Sequence, residues 1–302
     1  MTPAPAGPQG PADLLLAAAQ ALRPKQWPKN VFVLAAIFFS MNFDRPDMWV
    51  KTLAGVAAFC CLSSAGYIWN DARDADADRK HPSKRKRPIA SGRLPLGLAY
   101  AEMAAIFLIG CGIAWWVGPS FLLVGLLYFA TTMSYSTVFK NVVILDIMFL
   151  SAGFLWRAAA GAVAIDVAIS PWLLMCTAFL ALFLGFNKRR GELLLMKDDA
   201  STTRKILAEY SPQLVVEFQA ITTSGTIISY ALYTVLGSPT PWLLLTLPFV
   251  LYGIFRYIYL VSARAEGGAP EETLYKDPPI LINGVLYGLT VVGVLVAFAR
   301  GA

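Results

Sequence analysis

Long apolar runs, broken by short charged or Pro/Gly-rich stretches, dominate this 302-residue chain. Most runs reach about 18 residues or more, the length that crosses a bilayer as helix. No strand-length alternation of apolar and polar positions recurs, which argues against a membrane β-barrel. The pattern predicts nine spans, at roughly 30–43, 49–71, 96–117, 119–139, 141–165, 171–189, 213–236, 240–261 and 279–299. An all-α polytopic membrane protein follows, with a flexible tail and a short surface helix over residues 1–21 and one transmembrane domain over 22–302.

Composition agrees: 57% hydrophobic and 15% charged residues are too apolar for an ordinary soluble domain. The net charge of +6 could by itself point to nucleic acid, but the basic residues cluster beside the spans. Membrane topology and anionic phosphate groups explain that clustering better, so membrane lipids and no nucleic acid are expected as partners. Arg73, Arg79, Lys80, Lys84, Arg85, Lys86, Arg87 and Arg93 follow the second span, and Lys188, Arg189, Arg190, Lys197, Arg204 and Lys205 follow the sixth. The opposite side receives only Arg45, Lys51 and Arg300. The positive-inside bias therefore places the N-terminus and the basic loops in the cytoplasm of a cell-membrane protein.

Cys60, Cys61, Cys111 and Cys176 lie in apolar runs without metal-ligand spacing. A single histidine, His81, removes a His-based zinc site or a Ser-His-Asp triad from consideration. Met1 to Pro11 is rich in Pro, Gly and Ala and reads as disordered; it lacks the pattern of a cleaved signal peptide.

The chemistry concentrates where the second span meets the first basic loop, at Asn70, Asp71, Asp74 and Asp78. On one continuous helix these four fall within an arc of roughly 100°, while Asp76 points elsewhere. Three carboxylates on one face repel one another unless a cation joins them. Hard oxygens suit Mg2+, which takes one or two carboxylates and completes its shell with phosphate oxygens and water. Asp71, Asp74 and Asp78 are thus expected to be metal ligands and catalytic groups, with Asn70 orienting them. A solvated, mixed-charge helix end is the bland alternative.

Downstream, Lys84 and Arg87 can neutralise phosphates, and Pro88 and Gly92 suit a turning loop. Upstream, Arg23, Lys25, Trp27, Lys29 and Asn30 read either as an interfacial anchor or as the mouth of a phosphate site, with Lys29 and Asn30 the preferred pair. Tyr128 reads as an interfacial anchor, whereas Tyr135 and Lys140 end the fourth span and read as substrate-binding. Charges inside a bilayer are costly and are paired or face a polar cavity. Asp146 is placed near such a cavity; Arg157 binds an anionic headgroup or forms a structural ion pair. At the end of span six, Lys188, Arg189 and Glu192 are expected to contact substrate.

The pattern Asn70-Asp71-x-x-Asp74-x-x-x-Asp78, followed by Lys84 and by Arg87-Pro88-Ile89-Ala90-Ser91-Gly92, resembles the UbiA superfamily of intramembrane prenyltransferases. The resemblance continues through Tyr135, Lys140, Asp146, Arg157 and Gly161. It implies helices around a central cavity open to the cytoplasmic side, a loop cap, and Mg2+ as cofactor. Ordinary members use two Asp-rich motifs, but Asn187-Lys188-Arg189-Arg190-Gly191-Glu192 stands in place of the second, and Asp198 and Asp199 are out of frame. That departure, with Leu22 to Asn30, is similar to a branch with a soluble donor, 5-phosphoribosyl-1-pyrophosphate. In that branch decaprenyl phosphate, or a similar polyprenyl phosphate, is the acceptor, and the product serves cell-wall arabinan synthesis. Prenyl transfer to an aromatic acceptor and membrane transport remain the alternatives. A homo-oligomer is compatible with the sequence, which does not fix the state.

Overall fold

The computed structural model describes residues 10–42, 44–82, 84–196, 205–264 and 276–301. The expected disorder of Met1 to Pro11 falls outside them except at Gly10 and Pro11, and Asp198 and Asp199 lie outside as well. Every regular element described is helical. The helices are α1 (Pro11–Ala21), α2 (Ala35–Phe39), α3 (Pro46–Arg73), α4 (Ala75–Lys80), α5 (Leu96–Val117), α6 (Pro119–Thr137), α7 (Leu145–Ala164), α8 (Pro171–Met196), α9 (Pro212–Leu232), α10 (Leu247–Arg264) and α11 (Pro278–Gly301). Proline opens α1, α3, α6, α8, α9 and α11. Its missing N–H is no loss where the first turn has no acceptor, and its fixed φ suits the helix start.

Among the described residues, six helical segments are long and apolar enough to cross a membrane: Pro46–Arg73, Leu96–Val117, Leu145–Ala164, Pro171–Leu194, Pro241–Ser262 and Pro278–Phe298. The segments expected at 119–139 and 213–236 form α6 and α9, which are less apolar. In α9 the reason is a buried polar stripe of Gln219, Thr222, Thr226 and Ser229. The threonine and serine hydroxyls bond back to carbonyls of their own helix, as buried polar groups must. The expected first span, 30–43, is not one helix: a tight 3-10 segment, Pro24–Leu34, leads into the five-residue α2. Pro28 inside that segment lacks the N–H that a regular ladder needs.

Two compact units can be distinguished. The first comprises Met1–Phe38, Asn42–Val138 and Trp156–Val167; the second comprises Phe39–Met41, Phe139–Leu155 and Ala168–Ala302. In the first unit, small residues let helices approach closely, as is usual where lipid removes the hydrophobic drive for helix association. Ala17 and Ala21 of α1 pack on Ile68, Ala72, Ala75 and Ala99, together with Ile89 and Leu94 of the loop before α5. A Cβ on Gly110 of α5 would meet Cys61, Leu62 and the Ala58 carbonyl of α3 at 3.0 to 3.3 Å. Gly161 lies against the Val33 carbonyl, leaving no room for a side chain.

Within the same unit, Arg157 is buried and donates from Nε to Asn30 Oδ1 at 2.8 Å and from Nη2 to the Tyr128 hydroxyl at 2.9 Å. Tyr128 is therefore an interior hydrogen-bond acceptor and not an interfacial anchor: its ring packs on Phe59 and only 4% of it is exposed. In the second unit, α8 pairs with α9, and Phe183 of α8 packs with Ile254, Tyr257, Leu260 and Val261 of α10 and Ile280 of α11. The outward faces are apolar. Leu108, Trp115 and Trp116 of α5 and Ile282, Val285 and Leu289 of α11 are each more than half exposed, as a lipid-facing surface requires.

Candidate active site

α3 does not run straight through the aspartates. α3 ends at Arg73, Asp74 takes φ −92° and ψ 4°, and α4 begins at Ala75. Hydrogen bonds from Asp74 N to Asn70 O (3.0 Å) and from Asp78 N to Asp74 O (2.8 Å) carry the turn through this bend. Asp71 and Asp78 consequently end up buried, while Asp74 is half-buried at the corner. The expected helical arc is thus bent, but it brings Asp71 and Asp78 to one point.

That point is the Arg87 guanidinium. Its Nη1 lies 3.0 Å from Asp71 Oδ1 and 2.6 Å from Asp78 Oδ2. Arg23 takes the other side of Asp71, with Nε 3.2 Å from Oδ2 and Nη2 on Oδ1. Two carboxylates thus face two guanidiniums, so the buried charge is balanced locally. Among the described residues no group of three or more His, Cys, Asp or Glu side chains is close enough to hold a metal together. Asp71 and Asp78 nevertheless fit Mg2+: they are hard donors, two carboxylates suffice, and a cationic nitrogen already sits between them.

The loop that delivers Arg87 is folded down. Pro88, Ile89 and Ala90 are buried, Arg79 Nε donates to Ala90 O at 3.2 Å, and Leu94 N donates to Pro88 O at 3.0 Å. Gly92 turns the chain at φ 81°, a conformation open to glycine at little cost. Arg93 then ties the loop to α1 through Asp13 and Gln20. Asn70, Lys84, Lys29 and Tyr135 are half-buried in the same unit.

The second unit holds another charged cluster. Asp146 has no exposure at all and lies in the interior. Its Oδ2 accepts from Arg189 Nε at 3.0 Å and Nη2 at 2.7 Å; its Oδ1 accepts from the Tyr210 hydroxyl at 2.7 Å. Arg189 Nη1 also bonds Glu192, one helical turn on, so the i,i+3 partner of Glu192 is Arg189. The same hydroxyl of Tyr210 accepts from Ile144 N at 2.7 Å, where Ile144 holds a left-handed φ of 70°. Burial, and then the Asp146 bond, push the Tyr210 phenol well above its ordinary pKa, so it stays a hydroxyl. Lys140 and Lys188 are half-buried in this unit, and Arg190 Nη1 bonds Gln219 Oε1 at 2.6 Å. Sequence reasoning did not single out Tyr210, nor the pairing of Asp146 with Arg189. The usable clue was that an acid in α7 and a base in α8 both needed partners inside apolar helices.

These features converge on one class. Residues 30–272 match the model of the UbiA prenyltransferase family, and the chain belongs to that family of membrane enzymes. Its relatives include decaprenyl-phosphate phosphoribosyltransferases. That of Mycolicibacterium smegmatis is 34% identical over 288 residues, spanning 90% of this chain and 89% of the relative. That of Corynebacterium glutamicum is 35% identical over 298 residues, spanning 94% and 88%. A UbiA homologue from Archaeoglobus fulgidus, solved with GPP and Mg2+, shares the fold: the TM-score is 0.69 at 17% identity, covering 91% of this chain and 97% of that one.

Proposed function

We propose that this enzyme transfers 5-phosphoribose from 5-phosphoribosyl-1-pyrophosphate to decaprenyl phosphate, or a similar polyprenyl phosphate, at the cytoplasmic face of the cell membrane. Pyrophosphate is released, and the phosphoribosyl lipid serves cell-wall arabinan synthesis. The observation that carries the reading is the convergence of Asp71 and Asp78 on a single cation, Arg87. The names of the relatives and the basic end of α8, where ordinary prenyltransferases have a second acidic motif, support this donor over a prenyl diphosphate.

Mg2+, held by Asp71 and Asp78 with Asp74 at the corner, would neutralise the pyrophosphate as it leaves. The chain's own groups do the rest. Asn70 orients the carboxylates. Lys29, Lys84, Arg87, Tyr135, Lys140 and Lys188 bind the phosphate groups of donor and acceptor. Arg189 and Glu192, expected to contact substrate, are ion-paired with each other, and Arg189 with Asp146, which fixes the end of α8. A lipid phosphate oxygen bonds the anomeric carbon as the bond from that carbon to pyrophosphate breaks. The acceptor is already an anion at neutral pH, so no strong base is needed. Positioning and charge stabilisation supply the rate.

The test presents purified enzyme with labelled phosphoribosyl pyrophosphate plus polyprenyl phosphate, or with labelled prenyl diphosphate plus an aromatic acceptor. Lipid-extractable label from the first pair alone supports the proposal. Turnover of the second pair alone would replace it with ordinary aromatic prenylation.

A further inference from the structure

The two arginines on the aspartates occupy the very oxygens that a metal would need. Asp71 Oδ1 accepts from both Arg23 Nη2 and Arg87 Nη1, and Asp71 Oδ2 accepts from Arg23 Nε. A metal on Asp71 would meet a guanidinium at contact distance, with like charges repelling. Arg87 also rests on Asp78 Oδ2, but Asp71 Oδ2 is held by Arg23, so freeing that oxygen for a metal requires Arg23 to leave.

Arg23 is placed to do so. It caps the Pro24–Leu34 segment, just after α1, in a left-handed conformation, φ 52° and ψ 58°, which a non-glycine residue holds only when its surroundings impose it. The imposing contacts are local. Ser64 Oγ donates to Leu22 O at 2.8 Å and accepts from Trp27 Nε1 at 3.1 Å, so α3 grips the chain on both sides of Arg23. The side chain is a quarter exposed, and while paired with Asp71 its guanidinium also lies 5.1 Å from the Tyr67 ring centroid. A fixed backbone and a partly open side chain describe a charge that can move without disturbing the fold.

Building on the metal site of the proposed function, we infer that Arg23 is an exchangeable counter-ion. It pairs with Asp71 while the site is empty and moves to the donor's diphosphate when a metal takes Asp71. Arg23 is then a substrate-binding residue as well as a brake on metal binding. Metal alone must displace a bidentate ion pair without recompense. Metal with diphosphate gives the displaced guanidinium new anionic oxygens. The two ligands therefore bind cooperatively, and the coupling runs through one side chain.

Equilibrium dialysis of radiolabelled Mn2+ on the detergent-purified full chain, without and with inorganic pyrophosphate, measures this without turnover. In the wild type, pyrophosphate should tighten Mn2+ binding by about tenfold or more. Arg23→Gln should bind Mn2+ alone about threefold or more tightly than the wild type, and should lose most of the pyrophosphate enhancement. Arg23→Lys keeps a charge and should retain part of the coupling, which guards against a folding defect in the glutamine variant. Equal Mn2+ affinity in the wild type and Arg23→Gln, with the enhancement intact, overturns the exchange and leaves the metal site standing. Asp71→Asn binding Mn2+ as the wild type does would overturn the metal site and the exchange together.

Discussion

The Tyr210 hydroxyl hydrogen-bonds Asp146 Oδ1 at 2.7 Å across 64 residues of chain. The bond joins the segment between α8 and α9 to the first turn of α7. The phenol also accepts from the strained Ile144 amide, so one oxygen holds two backbone segments. Asp146→Ala would leave the Arg189 guanidinium buried with Glu192 alone. A loss of about 3–5 kcal/mol is expected, read as a lowered melting temperature in detergent. Tyr210→Phe should cost about 1–3 kcal/mol, because the Ile144 N–H and one Asp146 oxygen lose their partner.

The same tyrosine gives an alkaline signature. Its folded-state pKa is raised, so the unfolded chain loses this proton first. Its contribution is complete below the ordinary tyrosine value of about 10 and declines as pH rises beyond it. Melting temperature should fall more steeply above that pH in the wild type than in Tyr210→Phe. Parallel slopes would contradict the assignment.

Arg157 reaches Asn30 and Tyr128 with two nitrogens of one planar fork. Lysine has a single nitrogen on a flexible stem and cannot span both acceptors. Arg157→Lys should lower stability by about 2 kcal/mol while the donor preference of the surviving enzyme stays unchanged. A switch in donor would instead make Arg157 a substrate contact.

Gly161 makes a prediction from shape alone. A methyl group there would strike the Val33 carbonyl, which is backbone and cannot swing aside. Gly161→Ala should destabilise by about 1–3 kcal/mol, detectable as faster thermal inactivation. Gly112, with open space around it, is the control whose alanine variant should not be destabilised by a clash.

What the sequence made legible was local. Apolar runs located the long helices of both units, with ends close to those observed at Leu96–Val117 and Pro171. The nearness of Asp71, Asp78 and Arg87 was legible, because they lie close in sequence, but the direct ion pairs among them were not: a metal was expected between the carboxylates and phosphate on the arginine. The partners that stayed hidden are distant: Arg23 and Asp71 are 48 apart, Asp146 and Arg189 are 43 apart, and Asn30 and Arg157 are 127 apart. Periodicity specifies which face of a helix is polar and says nothing of which other helix answers it. The first expected span failed for a different reason: its opening residues belong to the 3-10 segment Pro24–Leu34, and α-helix runs only over Ala35–Phe39.

The most direct test of the central claim follows label from the ribose 5-phosphate of phosphoribosyl pyrophosphate into lipid, with Mg2+ or EDTA, in the wild type and in Asp71→Asn. The account predicts Mg2+-dependent, organic-soluble phosphoribosyl lipid in the wild type. In a folded Asp71→Asn variant the rate should fall by about a hundredfold or more, the scale expected when a charge-stabilising group at the reacting centre is removed. Transfer that persists in EDTA, or at the wild-type rate in Asp71→Asn, would contradict it.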